Sequence, residues 1–249
     1  MIVVHRLAAL LLFFFLLLAG DLPGSQAWAE SLPIAPFEAR YTVYAKGIPA
    51  GESILTLTEI GAGRYQMHSE VFPTGLATLL VSERLSESVD GEWRDDAILP
   101  THYEQERVSS RKPTKIRFDF DWPNGTVHTR YNGQQATLAL GDRIVDPLSL
   151  HLLVMWDLQR GHHPERYTLV KDTEMETYRV RLEGEDTLQT PLGKLKAVRI
   201  SRQKPGSNRI TTLWLAPRLN YLLVQVTQTK KGSEDLKMVI ASVKGSAYP

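Results

Sequence analysis

The sequence predicts a mainly β protein: an antiparallel sheet that is curled or closed into a β-barrel or half-barrel and holds one buried α-helix. Apolar and polar residues alternate with a period of two along most of the chain, which is typical of strands with one buried face. Gly, Pro, Asn and Asp separate roughly a dozen such stretches. The chain lacks the strand–helix–strand rhythm of a parallel sheet, so antiparallel pairing is expected.

Residues 1–29 have the pattern of a cleavable signal peptide. His5 and Arg6 form a short basic region, residues 7–19 are almost continuously apolar, and Ala27 and Ala29 occupy the small-residue positions of a cleavage site. A retained membrane anchor is the competing interpretation, but a span needs about 20 apolar residues. We therefore expect cleavage after Ala29, a periplasmic protein, and a single β-rich domain over 30–249.

The composition excludes several classes of protein. There is no cysteine, which excludes disulfides, thiol catalysis, thiolate metal sites and a lipidated N-terminal cysteine. Twenty-nine basic and 28 acidic residues give a formal net charge of +1, without the clustered basic face of a nucleic-acid binder. No nucleic-acid partner is expected, and a core without disulfides must hold the fold.

The first strands are expected to form an antiparallel meander, with a turn at residues 61–63. Further along, Asn124-Gly125 and Asn132-Gly133 each follow an alternating stretch, and Asn-Gly supplies the two positive-φ positions of a tight hairpin. The sequence therefore predicts three consecutive hairpin-linked strands between residues 116 and 140.

Two segments depart from strand alternation. Residues 146–161 predict one buried helix over about 147–160, because Asp146 suits the N-cap, Pro147 suits the first turn and Gly161 suits the C-terminal stop. The helix is apolar nearly all round, so it should lie against the concave face of the sheet. A short second helix over about 74–80 is the other departure, with a loop as its alternative.

The second half of the chain predicts another run of strands. Thr190, Pro191 and Gly193 predict a tight turn. The acidic groups at 183–186 and 94–96 are also expected at turns, where solvated carboxylates are common. Each half contains strands, but neither obviously stands alone, which favours one domain.

Chemically active residue types occur together in the predicted helix. Asp146, Ser149 and His151 suggest a hydrolase, but residues two apart on a helix point to different faces, and capping already explains Asp146. His162 and His163 are adjacent and have no partner pair at ligand spacing, so an exposed loop is favoured over a metal site. We predict no catalytic residue, no metal site and no cofactor.

A hydrolase acting on glycan or ester substrates remains the least favoured alternative. It would need a cleft that brings together at least two of five side chains on the predicted strands. These are His68, His102, His128, Glu104 and Asp119. Sequence spacing alone does not bring them together.

Three stretches resemble the bacterial family known as domain of unknown function 3108. They cover residues 37–57, 182–202 and 213–226, and the more specific part is TPLGKLKA followed by WLAP and YLLV. The resemblance spans nearly all of the chain after the leader and implies an exported, β-rich envelope protein without an assigned activity. The chain departs from the family pattern at Leu223, where proline is common.

The leading functional hypothesis is a non-enzymatic envelope protein that binds or carries a lipid or another apolar small molecule. The predicted pocket residues are Leu79, Leu80, Leu152, Met155 and Trp156. Transient membrane contact would accompany such a role. The alternative is an envelope assembly or scaffold protein with a filled core, which would act through a protein partner.

Overall fold

The computed structural model describes residues 32–79, 83–109, 113–246 and 248. Within these ranges, 14 strands form one antiparallel sheet that curls without closing into a barrel, which confirms the predicted fold class. The strands are β1 Phe37–Ala45, β2 Ile48–Gly61, β3 Arg64–Pro73, β4 Arg84–Arg94, β5 Ala97–Val108, β6 Thr114–Asp121, β7 Thr126–Tyr131, β8 Gln134–Ala139, β9 Arg166–Lys171, β10 Glu174–Thr190, β11 Gly193–Gln203, β12 Arg209–Ala216, β13 Leu222–Lys230 and β14 Ser233–Lys244.

The sheet consists of two meanders joined side by side. Its order is β8-β7-β6-β5-β4-β3-β2-β1-β14-β13-β12-β11-β10-β9, so every pair is consecutive in sequence except β1 with β14. We call β1–β8 the N-terminal arm and β9–β14 the C-terminal arm. The ends of the sheet approach each other, since Cα atoms of β8 and β10 come within 8 Å of one another. Val145 forms a parallel bridge to Leu169 of β9.

Strand alternation produces the core on the concave face. In β1, Phe37, Ala39, Tyr41 and Val43 are buried, and the residues between them are only partly buried. The same alternation continues through the N-terminal arm, and the buried side chains form one continuous apolar cluster with the helix.

The two Asn-Gly turns differ in geometry. Asn132 and Gly133 have φ values of 46° and 90°, as the predicted tight hairpin requires. At the other turn only Gly125 has a positive φ, of 63°, because residues 122–125 form a four-residue loop. The Asp121 carboxylate accepts hydrogen bonds from the backbone and side-chain amides of Asn124 there, at 3.2 and 2.7 Å. The chain reversal at Asn124-Gly125 is confirmed, but the prediction that both residues have positive φ values is wrong.

Helix α1 spans Ser149–Gln159, slightly shorter than the predicted 147–160. The N-cap residue is Leu148, so the prediction of Asp146 at that position is wrong. Asp146 instead holds the turn just before the helix, because its Oδ1 atom accepts hydrogen bonds from the backbone N–H groups of Leu148 at 2.8 Å and Ser149 at 2.9 Å. Gly161, with φ of 69°, ends it as expected. The short second element is a 3₁₀ helix over Gly75–Leu79.

Two turn predictions have different outcomes. Residues 94–96 do form a turn, in which Asp95 and Asp96 have φ values of 52° and 59°. The prediction for 183–186 is wrong, because these residues lie inside β10, where Gly184 forms a bulge with φ of 122°. Across the residues described, no helix is long and apolar enough to cross a bilayer.

Candidate ligand-binding site

The side of α1 that faces the N-terminal arm is filled. Trp156 packs edge-on against Trp93 of β4, with ring centroids 4.8 Å apart, and the Arg160 guanidinium lies 5.2 Å from the Trp156 ring. Leu152 is buried beside Leu57, where the remaining void is only about 10 Å³. This volume barely accommodates one water molecule.

The side of α1 that faces the C-terminal arm is not filled. A cavity of about 230 Å³ lies between α1 and strands β9–β14, with Leu55 of β2 also in its lining. Its helical lining consists of Leu150, His151, Val154 and Met155, which form two pairs spaced four residues apart and so share one face of α1. The sheet contributes mostly apolar side chains. We call this space the apolar cavity.

Two basic side chains, His151 and Arg202, interrupt the apolar lining. Burial, and then the positive charge of Arg202, lower the pKa of His151 to about 4, so its imidazole is neutral at pH 7. Arg202 of β11 lies with its guanidinium carbon 5.2 Å from the Tyr178 ring centroid. Its Nε atom is buried and has no hydrogen-bond partner among the described residues. Burial also lowers the pKa of Arg202.

The apolar cavity adjoins a polar groove of about 490 Å³. Tyr178, Arg202, Thr211 and Gln228 line both spaces, so Arg202 lies where one passes into the other. We call the groove the basic vestibule, because its charged lining contains five cations and two acids. These are Arg107, Lys171, Arg202, Lys204 and Arg209, with Asp172 and Glu176.

The buried acid of the vestibule is already neutralised. Glu176 is 6% exposed and accepts hydrogen bonds from Lys204 Nζ at 2.7 Å, from Lys171 Nζ at 3.3 Å and from the Tyr178 hydroxyl. Burial raises the pKa of Glu176, but the bonds from Lys204, Tyr178 and Lys171 outweigh it and lower this pKa below its ordinary value. The charge of Glu176 acts on Arg202 at longer range, but among the described residues Arg202 forms no salt bridge of its own.

A second groove, of about 570 Å³, adjoins the other side of the apolar cavity. Val154, Tyr167, Val180 and Ile200 line both spaces. The exposed pair His162-His163 lies at this groove, near the C-terminal end of α1.

Asp146 and Ser149 of the Asp-Ser-His set are hydrogen-bonded to each other, but His151 lies apart from them. The Ser149 hydroxyl lies 3.0 Å from the Tyr65 hydroxyl of β3, whereas His151 faces the apolar cavity. Asp146 is fully buried, and its Oδ2 atom has no partner in the described part of the chain. Burial raises the pKa of Asp146 to about 6, although hydrogen bonds from Ser149 and Leu148 act against this rise. Asp146 and Ser149 therefore have a structural role at the start of α1.

Of the five predicted pocket residues, the structure places Met155 in the apolar cavity. Leu152 and Trp156 pack in the filled part of the core instead. The side chain of Leu79 and the whole of Leu80 lie outside the described residues. The role of these five residues in ligand binding stays a prediction.

Sequence reasoning missed His151 and Arg202 as cavity residues. Arg202 lies two positions after buried Ile200, so strand alternation directs it to the core-facing side of β11. An arginine at a strand position that alternation assigns to the core is the sequence signal that could have identified Arg202 as a cavity residue. His151 stands out in the sequence only as a member of the Asp-Ser-His set, and nothing in the spacing indicates that it faces a cavity.

The histidines and acids considered for a hydrolase partly converge. His102 Nδ1 lies 2.6 Å from Asp119 Oδ1, and His102 Nε2 lies 3.4 Å from Glu104 Oε1. These side chains alternate with the buried Tyr103 and Phe118, so they lie on the outer face of the sheet, and they line none of the cavities described above. The cleft that a hydrolase requires is therefore not formed around them, and within the described ranges no group of three or more ligating side chains could hold a metal ion.

Comparisons with known proteins agree with this fold. A family model described as "Protein of unknown function (DUF3108)" matches residues 40–240. No curated protein matches the chain. Among solved structures, the chain is similar to a β-barrel-like protein of domain of unknown function DUF1849 from Brucella abortus, with 11% identity and a TM-score of 0.59 over 86% of this chain and 99% of that chain. This likeness supports the fold alone.

Two further solved structures align over similar lengths with lower TM-scores. One is described as a "putative lipoprotein" from Parabacteroides distasonis, with 10% identity and a TM-score of 0.37 over 87% of this chain and 98% of that chain. The other is described as a "putative exported protein with YmcC-like fold" from Bacteroides fragilis, with 9% identity and a TM-score of 0.33 over 86% of this chain and 98% of that chain.

Proposed function

The chain belongs to the protein family of unknown function DUF3108, and we propose that it is an exported, non-enzymatic protein of the bacterial cell envelope that binds an apolar molecule. The observation that carries this proposal is the apolar cavity of about 230 Å³, in a core that is filled on the other side of α1. A mostly apolar pocket with a few polar groups is the usual form of a small-molecule site.

The cavity volume sets the size of the ligand. A cavity of about 150 Å³ can hold benzene, so 230 Å³ corresponds in proportion to roughly nine carbon atoms. At about 0.5 kcal/mol per non-hydrogen atom, a neutral ligand of that size binds with a Kd on the order of 1 mM. An eight-carbon alcohol is therefore a suitable probe of the apolar cavity.

Methionine methyl groups offer a direct test. Met155 and Met238 line the apolar cavity, whereas Met67 and Met175 do not. In protein labelled with ¹³C at the methionine methyl groups, 1-octanol should shift the first two NMR signals in a saturable way and leave the other two in place. Equal shifts at all four, or no shift up to the solubility limit of the alcohol, would refute the proposal.

A pair of variants separates cavity binding from surface binding. Val180→Phe places a larger side chain in the lining and should abolish the octanol shifts. Ile210→Phe adds the same group at an exposed position outside the lining and should leave the shifts unchanged. If Val180→Phe retains the shifts, or if no ligand binds and crosslinking captures a specific envelope protein instead, the scaffold alternative replaces this proposal.

The export part of the proposal rests on the leader. Expression in a Gram-negative host, followed by cell fractionation and intact-mass measurement, should give a periplasmic protein that begins at Glu30. A mass that includes the leader, in the membrane fraction, would contradict cleavage.

A further inference from the structure

We propose that the ligand is an anionic amphiphile, whose apolar chain occupies the apolar cavity and whose carboxylate or phosphate headgroup pairs with Arg202 at the entrance to the basic vestibule. This inference rests on the function proposed above and names the class of molecule that the same site binds. The part of the ligand chain inside the cavity should be roughly eight to ten carbon atoms long, by the same comparison with the volume that holds benzene.

The first argument is the unsatisfied guanidinium. The Nε atom of Arg202 is buried and has no hydrogen-bond partner in the part of the chain that the structure describes, although a buried donor left unpaired destabilises the folded state. The Tyr178 ring, 5.2 Å away, contacts the guanidinium without accepting its in-plane N–H groups. A carboxylate or phosphate is the group whose geometry matches this planar fork.

The second argument is that the acid acting on Arg202, Glu176, is already hydrogen-bonded to other groups. Glu176 is the nearby acid, and its oxygens already accept hydrogen bonds from Lys204, Lys171 and Tyr178. Among the described residues, the salt bridges of Glu176 are with these two lysines and not with Arg202. A charge kept in partly desolvated surroundings without a partner is typical of a binding group rather than of a structural one.

The third argument is position. Arg202 borders both the apolar cavity and the basic vestibule, so a molecule bound through it would have its chain on one side and its headgroup on the other. Of the vestibule cations, Arg202 and Arg209 form no salt bridge among the described residues, and their charge attracts anions and disfavours cationic headgroups. His151, neutral at pH 7, adds a hydrogen-bonding group in the same lining without opposing a negative charge.

The test compares ligands that share one chain and differ in headgroup. The methionine-methyl titration is repeated at pH 7 with octanoate, octyl phosphate, 1-octanol, octyltrimethylammonium and inorganic phosphate. Octanoate or octyl phosphate should bind about ten- to a hundredfold more tightly than 1-octanol, as expected for a charge-assisted hydrogen bond in a partly buried site. Octyltrimethylammonium should bind more weakly than the alcohol, and inorganic phosphate should shift neither Met155 nor Met238.

Three variants identify the residue responsible. Arg202→Gln should reduce octanoate binding to the level of 1-octanol and leave 1-octanol binding unchanged, which also shows that the variant is folded. Arg202→Lys keeps the positive charge but lacks the planar guanidinium, so its affinity for octanoate should lie between those of wild type and Arg202→Gln. Arg209→Gln removes a vestibule cation that does not line the apolar cavity, and should weaken octanoate binding less than Arg202→Gln.

The outcomes distinguish this inference from the proposed function. If octanol and octanoate bind equally, and Arg202→Gln changes neither, the inference is overturned while the apolar site stands. If inorganic phosphate displaces octanoate, the site binds small anions without a chain, and the inference is also overturned. If no eight-carbon ligand binds, the proposed function itself fails.

Discussion

Replacing Asp146 with Asn should make the protein more stable at neutral pH, although Asp146 holds the turn that leads into the central helix. The carboxylate is fully buried, and its Oδ1 atom accepts the two backbone hydrogen bonds that start α1. An Asn side-chain oxygen can accept the same two bonds. The substitution therefore keeps this turn and removes a buried charge whose second oxygen has no partner in the described structure.

The magnitude follows from the pKa of Asp146, which burial raises from 3.8 to about 6. Between these values the folded protein holds a proton that the unfolded chain has released, so the contribution of Asp146 to stability falls as pH rises through this window. Well above pH 6, Asp146 is ionised in both the folded and the unfolded protein, so the loss of stability that it causes no longer changes with pH. At about 1.4 kcal/mol per pH unit, the whole effect is about 3 kcal/mol.

The assay is urea unfolding of Asp146→Asn and wild type at pH 4 and pH 7, followed by tryptophan fluorescence. The free energy of unfolding of the variant, minus that of wild type, should increase by about 2 kcal/mol from pH 4 to pH 7, because part of the effect is already present at pH 4, just above the unfolded-state pKa. Asp142→Asn, an exposed change four residues earlier, should give differences within about 0.5 kcal/mol at both pH values. A difference for Asp146→Asn that does not change with pH would refute the reasoning.

Three further substitutions test the packing around α1 by the same unfolding measurement. A Cβ at Gly91 would lie 2.4 Å from the Tyr65 hydroxyl oxygen, so Gly91→Ala should destabilise by about 1–3 kcal/mol, and a neutral result would contradict this contact. Trp93→Ala removes the partner of Trp156 and should cost about 3–5 kcal/mol; a loss below about 1 kcal/mol would mean that this side of the core is not filled. Arg143 forms a salt bridge of 2.5 Å with the buried Asp157 of α1. Arg143→Ala leaves the Asp157 carboxylate without this positive charge and should lower the free energy of unfolding by about 3 kcal/mol, whereas Arg143→Lys should lower it less.

Local rules were sufficient to predict the sheet and the helix. Asp146, Pro147 and Gly161 mark the ends of α1 because the turns that start and stop a helix depend only on neighbouring residues. Asn132-Gly133 predicts its hairpin for the same reason. The wrong turn at 183–186 shows the limit: a bulge at Gly184 allows β10 to continue through acidic residues, since pairing with β11 outweighs their local preference.

The candidate site depends on long-range geometry and was only partly predictable. Periodicity predicts that α1 is buried, but not that one side packs tightly against Trp93 and the other leaves a cavity, because that difference depends on which side chains of distant strands meet each side of the helix. Met155 and Leu152 are both apolar residues of α1, yet they face different surroundings. Arg202 became significant only when the structure showed that Glu176 already has other partners.

The pairing of β1 with β14 has a consequence for how the protein folds. Every other strand pair is between sequence neighbours, so each arm can assemble by local hairpins, but the contact that unites the arms must close a loop of nearly the whole chain. A circular permutant that links the end of β14 to the start of β1, and begins just before α1, would have its strands in the same order in sequence and in space. Its lower contact order should make it refold faster than the natural chain, with the same final sheet.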